Sequence, residues 1–453
     1  MEHFFHDRRW NMPEHSLASK QLRICLDGYN FAMPKGTGVA TYGLTLARMI
    51  REMGHNVEGI FGLDVGEAQE TRETVLYDLI GRERRETRKQ FRRRVRQEKI
   101  RAFLKRRVLE VPVTEKIVKD GILDRIPSFD RIWSSASLFE IANWHFRYFK
   151  KFLTIDLPQP PDIMHWTYPI PIHLRGARNI YTVHDLVPLK MPYLSLDDKS
   201  FYYRLVDSCV NNSVGICTVS ETSLMDIVER FPSAEGRIFN TYQSSPIPAE
   251  VLASNPETDA RLIEQMYSLQ RSGYFLFFGA IDPKKNIARI IEAYLSSNAK
   301  SPLVLVSARN WGMADTAGSE SGIAIHGRTI SSDRIIQLDY MPRTLLFRLI
   351  RGAKAVLMPS LFEGFGLPAL EAIQLGTPVI ASNVGSLPEV VGNAGLLVDP
   401  YKVADIAAAI EILDGDSVLR NRLITAGIQQ SEKFSDNHYK DRLNKLYSNI
   451  MNN

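Results

Sequence analysis

The 453 residues carry 44 % hydrophobic side chains and a formal net charge of +5, a globular composition on a chain too long for one core, so two domains are expected. No apolar run is long enough to span a bilayer as a helix, and the first twenty residues hold no apolar signal core; the expected location is cytoplasmic, or peripheral on the inner face of the cytoplasmic membrane. Cys25, Cys209 and Cys217 have no metal-ligand spacing and read as reduced, buried thiols.

In chain order, LRICLDGYN (22–30) reads as a buried strand followed by a glycine-bearing loop, KGTG, and by an amphipathic helix over 41–55 that ends at Gly54. NVEGIFGL (56–63) completes a βαβ unit. Residues 81–107 then hold fourteen Lys or Arg against three Glu, a local charge of +11 that leaves the remaining chain at −6. This cassette has three readings. It is a solvated helix, an element that meets an anionic membrane surface through the interleaved Phe91, Val95, Ile100, Phe103, Leu104 and Val108, or a nucleic-acid contact; no recognition motif accompanies the last, and no nucleic acid is expected. The aromatic stretch 134–152 reads as an amphipathic helix on the sheet, with acceptor or membrane contact as its alternative.

NIYTVHDLVPL (179–189) and GICTVSETSLMDIVERF (215–231) are a strand with its loop and a strand running into a helix, and residues 244–263 read as a connector. A second α/β series begins with YFLFFGAI (274–281) and the helix 286–297. It continues through strands at 302–308, 353–360, 377–383 and 394–400.

After the strand AKAVLMPS comes LFEGFGLPALEAIQLG. Gly364 and Gly366 let the backbone approach a ligand, Pro368 suits the first turn of a short helix, and Gly376 ends it. The helix entrance offers unpaired amides to an anion. From spacing alone, Glu363 and Glu371 are equally well explained as helix decoration.

PSLFEGFGLPALEAIQLGTPVIAS, with SLPEVVG and AGLLVDP after it, resembles the signature of the family 4 retaining glycosyltransferases, whose donor-binding hallmark is a pair of glutamates eight positions apart. The resemblance implies the GT-B fold: α/β, two Rossmann-like domains with parallel sheets facing across a cleft. Domains are then expected at 1–250, with a basic insertion at 81–110, and at 251–433, with residues 434–453 crossing back to the first. It also implies a donor grip in which Lys284 and Lys285 of DPKKN hold the diphosphate together with the amides of Gly364, Phe365, Gly366 and Leu367. Glu371 takes the ribose, Glu363 the sugar, and His184 of YTVHDLVPL faces the reacting sugar, while Gly36 and Gly38 of the first glycine loop let donor or acceptor approach. Lys284 stands where the family often has Arg, and Asp436 where it often has Trp.

The expected reaction is transfer of a sugar from a nucleotide diphosphate sugar to a glycan or lipid-linked acceptor, with retention. The preferred donor is GDP-mannose, from resemblance to bacterial polysaccharide mannosyltransferases; GDP-fucose, dTDP-rhamnose and UDP-sugars are the alternatives. No metal and no cofactor is expected, because the sole Asp-x-Asp, Asp414-Gly415-Asp416, falls in a turn away from the site motifs. A sugar-nucleotide epimerase or hydrolase and a non-catalytic membrane- or nucleic-acid-binding protein are the competing functions.

Overall fold

The computed structural model describes residues 21–33, 38–82, 86–114, 126–195, 197–245, 247–307, 323–325, 328–330, 334–339 and 341–452. Among them two sheets form, one in each half of the chain. The first comprises β1 (Arg23–Asp27), β2 (Asn56–Phe61), β3 (Leu109–Val111), β4 (Arg131–Ser134), β6 (Ile163–Trp166), β8 (Arg178–Thr182), β9 (Gly215–Thr218) and β10 (Ile238–Asn240). Its spatial order is β10-β9-β8-β6-β1-β2-β4-β3, parallel throughout except for β3, which runs antiparallel to β4. The short β5 (Leu153–Ile155) and β7 (Ile172–Leu174) pair beside it. The central strands are buried on both faces, with helices covering them, which is why they read as continuous apolar runs.

The second sheet holds β11 (Phe275–Phe278), β12 (Leu303–Val306), β15 (Ile335–Leu338), β16 (Ala355–Met358), β17 (Val379–Ser382) and β18 (Gly395–Val398), ordered β15-β12-β11-β16-β17-β18 and all parallel. A separate antiparallel pair joins β13 (Ile323–Ile325) to β14 (Arg328–Ile330). From β11 the chain winds outward to β12 and β15, then returns to β16 and winds the other way. The crevice between β11 and β16 is therefore a topological switch point, where open parallel sheets bind ligands. The first sheet has its own between β1 and β6.

The stretch 244–263, read as a connector, instead contains the helix Ala249–Ala253 and most of the helix Pro256–Tyr267. The second of these is anchored by Asp259, which takes Arg351 at 2.7 Å and Arg348 at 3.1 Å from the helix Arg343–Gly352. Pro and Ser at 254–256 look like linker composition, but Asn255 caps this helix and Pro256 occupies its first turn.

The last helix, Asp436–Asn452, leaves the second half and packs on the first. Asp436 forms a two-pronged pair with Arg48, at 2.7 and 3.1 Å. The Tyr447 hydroxyl lies 3.0 Å from His165 Nδ1. Gly215 leaves room for Ile450, since a methyl there would come within 2.7 Å of Ile450 Cδ1. Phe434, just before this helix, stacks edge-on with both Tyr242 of the first half and Phe365 of the second. The three cysteines are buried and unpaired.

Candidate functional site

The loops that follow β11 and β16 meet at the switch point. Asn286 holds them together. Its backbone is left-handed (φ 60°), and its buried amide donates to the carbonyls of Pro359 (2.9 Å) and Pro400 (2.7 Å). Leu361 N donates to Lys284 O at 2.7 Å. These bonds carry Lys285 to Glu363, with Nζ 2.7 Å from Oε1 and both side chains largely shielded. Burial by itself would raise the Glu363 carboxyl. Lys285 and Lys284 outweigh it and hold the group below the ordinary glutamate value, so Glu363 is ionised. Burial would likewise lower the Lys284 ammonium, but Glu363, Asp185 and Asp282 raise it.

Gly366 takes φ 101° and starts the helix Leu367–Gln374. A side chain there would suffer that backbone and also strike Leu387 at 2.6 Å. Among the described residues, the amides of Gly364, Phe365, Gly366 and Leu367 have no protein acceptor. Four donors in sequence at the positive end of a helix, beside two lysines, make an anion receptor. The Phe365 ring turns away into the Tyr242–Phe434 cluster, so only its backbone is available to a ligand.

Glu371 lies in that helix, buried, and accepts from Arg343 Nη2 at 2.9 Å. Burial keeps its carboxyl above the ordinary value despite the arginine. Arg343 was not singled out from the sequence, because it enters from a different helix, twenty-eight positions away.

Across the cleft, His184 follows β8. Its Nε2 lies 2.9 Å from the Thr167 carbonyl, which can only accept, so Nε2 carries the proton and Nδ1 is left as an acceptor. Tyr42 packs edge-on against the ring at 4.8 Å. Burial lowers the imidazole below its usual value against the opposing effects of Thr167 and Asp185, so it is neutral near pH 7. Asp185 caps the following turn through Val187 N (2.9 Å). The two halves touch here: a methyl on Gly364 would lie 2.8 Å from His184 O and 2.9 Å from Asp185. Ser223 Oγ is placed between the carbonyls of His184 (2.8 Å) and Gly364 (3.3 Å). Nearby, Glu389 from SLPEVVG caps the first-domain helix Glu221–Arg230 through the amides of Glu221 (3.0 Å) and Thr222 (3.1 Å). That gives Glu221 a place in the domain contact, while Ser220 caps the same helix by accepting from Ser223 N at 3.0 Å.

Gly38 is exposed at the start of the helix Gly38–Glu52, facing open space; Gly36 lies outside the described residues. At the other switch point, Asp27 is buried and accepts from Thr167 N at 2.5 Å and Tyr29 N at 3.3 Å, its carboxyl raised by burial to about 6. It fixes the loop that presents Thr167 to His184. The next residue, Tyr168, borders a cavity of about 270 Å³ lined by Tyr29, Phe139, Asn143, Arg147 and Phe201. Asp414, of the Asp-x-Asp, is occupied by Lys354 (2.6 Å) and Ser301 (2.7 Å), and Asp416 caps the helix Ser417–Glu432.

Residues 263–430 match the family model described as glycosyl transferases group 1. O-antigen chain mannosyltransferase B of Escherichia coli is 32 % identical over 271 residues, spanning 58 % of this chain and 68 % of that protein. The serotype-specific mannosyltransferase WbdA of E. coli is 28 % identical over 284 residues, 60 % of this chain but only 33 % of the longer relative. Among solved structures, sucrose-phosphate synthase from Thermosynechococcus elongatus superposes with a TM-score of 0.62 at 16 % identity, covering 95 % of this chain and 98 % of that one, which speaks to fold alone. The chain belongs to the group 1 glycosyltransferases, with the GT-B fold and a likeness to bacterial polysaccharide mannosyltransferases.

Proposed function

We propose that this glycosyltransferase moves a mannosyl group from GDP-mannose to a glycan or lipid-linked glycan, with retention at the anomeric carbon and without a metal. The observation that carries this reading is the apposition of Lys284, Lys285, Glu363 and four unpaired amides against His184 of the opposite domain. In the reaction the anomeric C–O bond to the diphosphate breaks and its electron pair leaves with the phosphate oxygen. The acceptor hydroxyl bonds to the anomeric carbon from the same face, and its proton passes to the departing oxygen. Negative charge grows where the lysines and the helix entrance already point, so its stabilisation needs no reorganisation. Glu363 accepts from sugar hydroxyls and holds Lys285 in place; Glu371 accepts from the ribose. Neutral His184 offers Nδ1 to a sugar hydroxyl.

The mannosyl group is supported by the likeness to the two E. coli mannosyltransferases. The acceptor is assigned to the aromatic cavity beside Thr167, whose lining includes Tyr29 and Tyr168 for sugar C–H groups and Asn143 for hydroxyls, with Arg147 held over the Phe201 ring at 4.3 Å and paired with Asp198 at 3.2 Å.

The test is a thermal-shift panel of nucleotide sugars followed by NMR of the product anomer. A ligand that binds only the folded state stabilises it by about 2.7 kcal/mol at a hundred times its Kd. GDP-mannose giving the largest shift, and an axial-type product matching the donor, are expected. A larger shift with a UDP-sugar replaces the donor, and an inverted product rejects retention.

A further inference from the structure

We infer that the basic helix Arg88–Arg101 and the aromatic end of the helix Leu138–Phe149 form one surface that docks the first domain on an anionic lipid bilayer. The two segments lie far apart in sequence, but the fold joins them. His145 Nδ1 meets the Ala102 carbonyl at 2.8 Å, Lys99 Nζ stands 4.4 Å above the Trp144 ring, and Phe103 packs on Tyr148 and Phe149 at 5.3 and 5.1 Å.

The basic helix is a built element and not a frayed tail. Thr87 and Gln90 close a capping box at its start, and its single acid, Glu98, is buried and paired with Arg94 at 2.7 Å. The eight cations of that helix are therefore nearly unopposed. Arg88, Lys89, Arg92, Arg93, Arg96 and Arg101 are exposed, and no carboxylate among the described residues pairs with them.

Charge alone fits a polyanion of any kind. The apolar side chains decide between them. Ile100, Phe103, Leu104, Tyr148 and Phe149 are each between 42 and 62 % exposed, gathered at one end of the cation field. Large apolar groups ringed by Lys and Arg suit the boundary between headgroups and acyl chains, where the rings lose water and the cations meet lipid phosphates. A nucleic-acid groove would use the cations but leave most of these side chains wet.

Placement adds to this. Phe139, Asn143 and Arg147, four residues apart, line the aromatic cavity from one face of the helix Leu138–Phe149, while Trp144 and Tyr148 occupy the next face. A docked surface brings that cavity alongside the membrane, where a lipid-anchored acceptor is presented. This consequence rests on the transfer reading; the docking does not.

The test is sedimentation of the full chain with vesicles, without donor or acceptor, so its outcome is independent of whether sugar is transferred. Binding to phosphatidylglycerol-rich vesicles, and little to pure phosphatidylcholine, is expected. Arg92→Gln with Arg93→Gln and Arg96→Gln should weaken it roughly a hundredfold, at a factor of about five per charge. Phe103→Ser with Leu104→Ser should weaken it on the order of tenfold or more and abolish the part that survives high salt. All five side chains are mainly exposed, so unchanged melting temperatures will verify folding. Docking is overturned if the wild type ignores anionic vesicles, binds neutral ones equally, or keeps its affinity in both variants. Salt-sensitive capture of an RNA homopolymer with no vesicle binding reassigns the surface to nucleic acid.

Discussion

Gly364 of the second domain rests against His184 of the first so closely that a single methyl on it would come within 2.8 Å of the histidine carbonyl oxygen. The contact is with backbone, which cannot swing aside, so any side chain must push the two domains apart at the proposed site of transfer. Gly364→Ala is expected to cost roughly 1–3 kcal/mol of the closed arrangement and to lower transfer about tenfold or more. Steady-state kinetics and a melting curve measure both, with Gly415→Ala, where the new methyl meets nothing within 4 Å, as the comparison that leaves them unchanged.

Glu371 and Arg343 form a partly buried pair whose acid burial already raises. Glu371→Ala is expected to weaken nucleotide binding by roughly 1.5–3 kcal/mol, the worth of hydrogen bonds to a charged group. Arg343→Ala is the more informative change. It removes the cation that opposes burial, so the carboxyl rises further and takes a proton as the solution is acidified. Nucleotide affinity in this variant should fall more steeply than in the wild type as the pH is lowered, because the carboxyl raised by burial has lost the cation that opposed it. Parallel pH profiles by calorimetry would remove Glu371 from the ribose.

In the proposed reaction Lys285 grips the diphosphate. Lys285→Ala should weaken a nucleoside diphosphate roughly ten- to a hundredfold and leave the free nucleoside almost untouched. Equal losses for both ligands contradict that assignment. Excess EDTA is expected to leave wild-type transfer intact, and restoration of a lost rate by Mg²⁺ or Mn²⁺ would overturn the metal-free mechanism.

His165 is fully buried between Thr182 Oγ1 (2.9 Å) and the Tyr447 hydroxyl (3.0 Å), and burial first, then His184, lowers its imidazole to about 3. The unfolded chain protonates this ring near its ordinary value of about 6.5, so between those two values the unfolded state holds the extra proton. Stability from this site is complete above about pH 6.5 and is lost as pH falls. His165→Gln lacks that linkage. The stability gap between wild type and variant should shrink by about 2 kcal/mol from pH 7 to pH 5, as read by urea unfolding. A constant gap means that His165 is protonated in the folded protein.

Much of the second-domain half of the candidate site was legible along the chain. Glu363, the glycines, Pro368 and Glu371 fall within one strand-loop-helix segment, and local rules of strand, turn and helix entry place them. Lys284 and Lys285 were legible for the same reason, each following an apolar strand. The parallel architecture followed from strands that are apolar on both faces.

Other features were settled by the fold, because they depend on which distant segments share an edge or a crevice. Strand order turned the gap between β11 and β16 into a crevice and set Asn286 across it. Helix packing supplied Arg343 to Glu371, and domain apposition put Gly364 on His184. The Phe365 ring went to an aromatic cluster shared by three segments, where burying it outweighs exposing it to a ligand. The sequence determined which residues carry charge, glycine freedom and apolar faces, since those are properties of single residues and short windows. Which of them meet was decided by tertiary structure, because burial and long-range hydrogen bonds choose partners that no local pattern specifies.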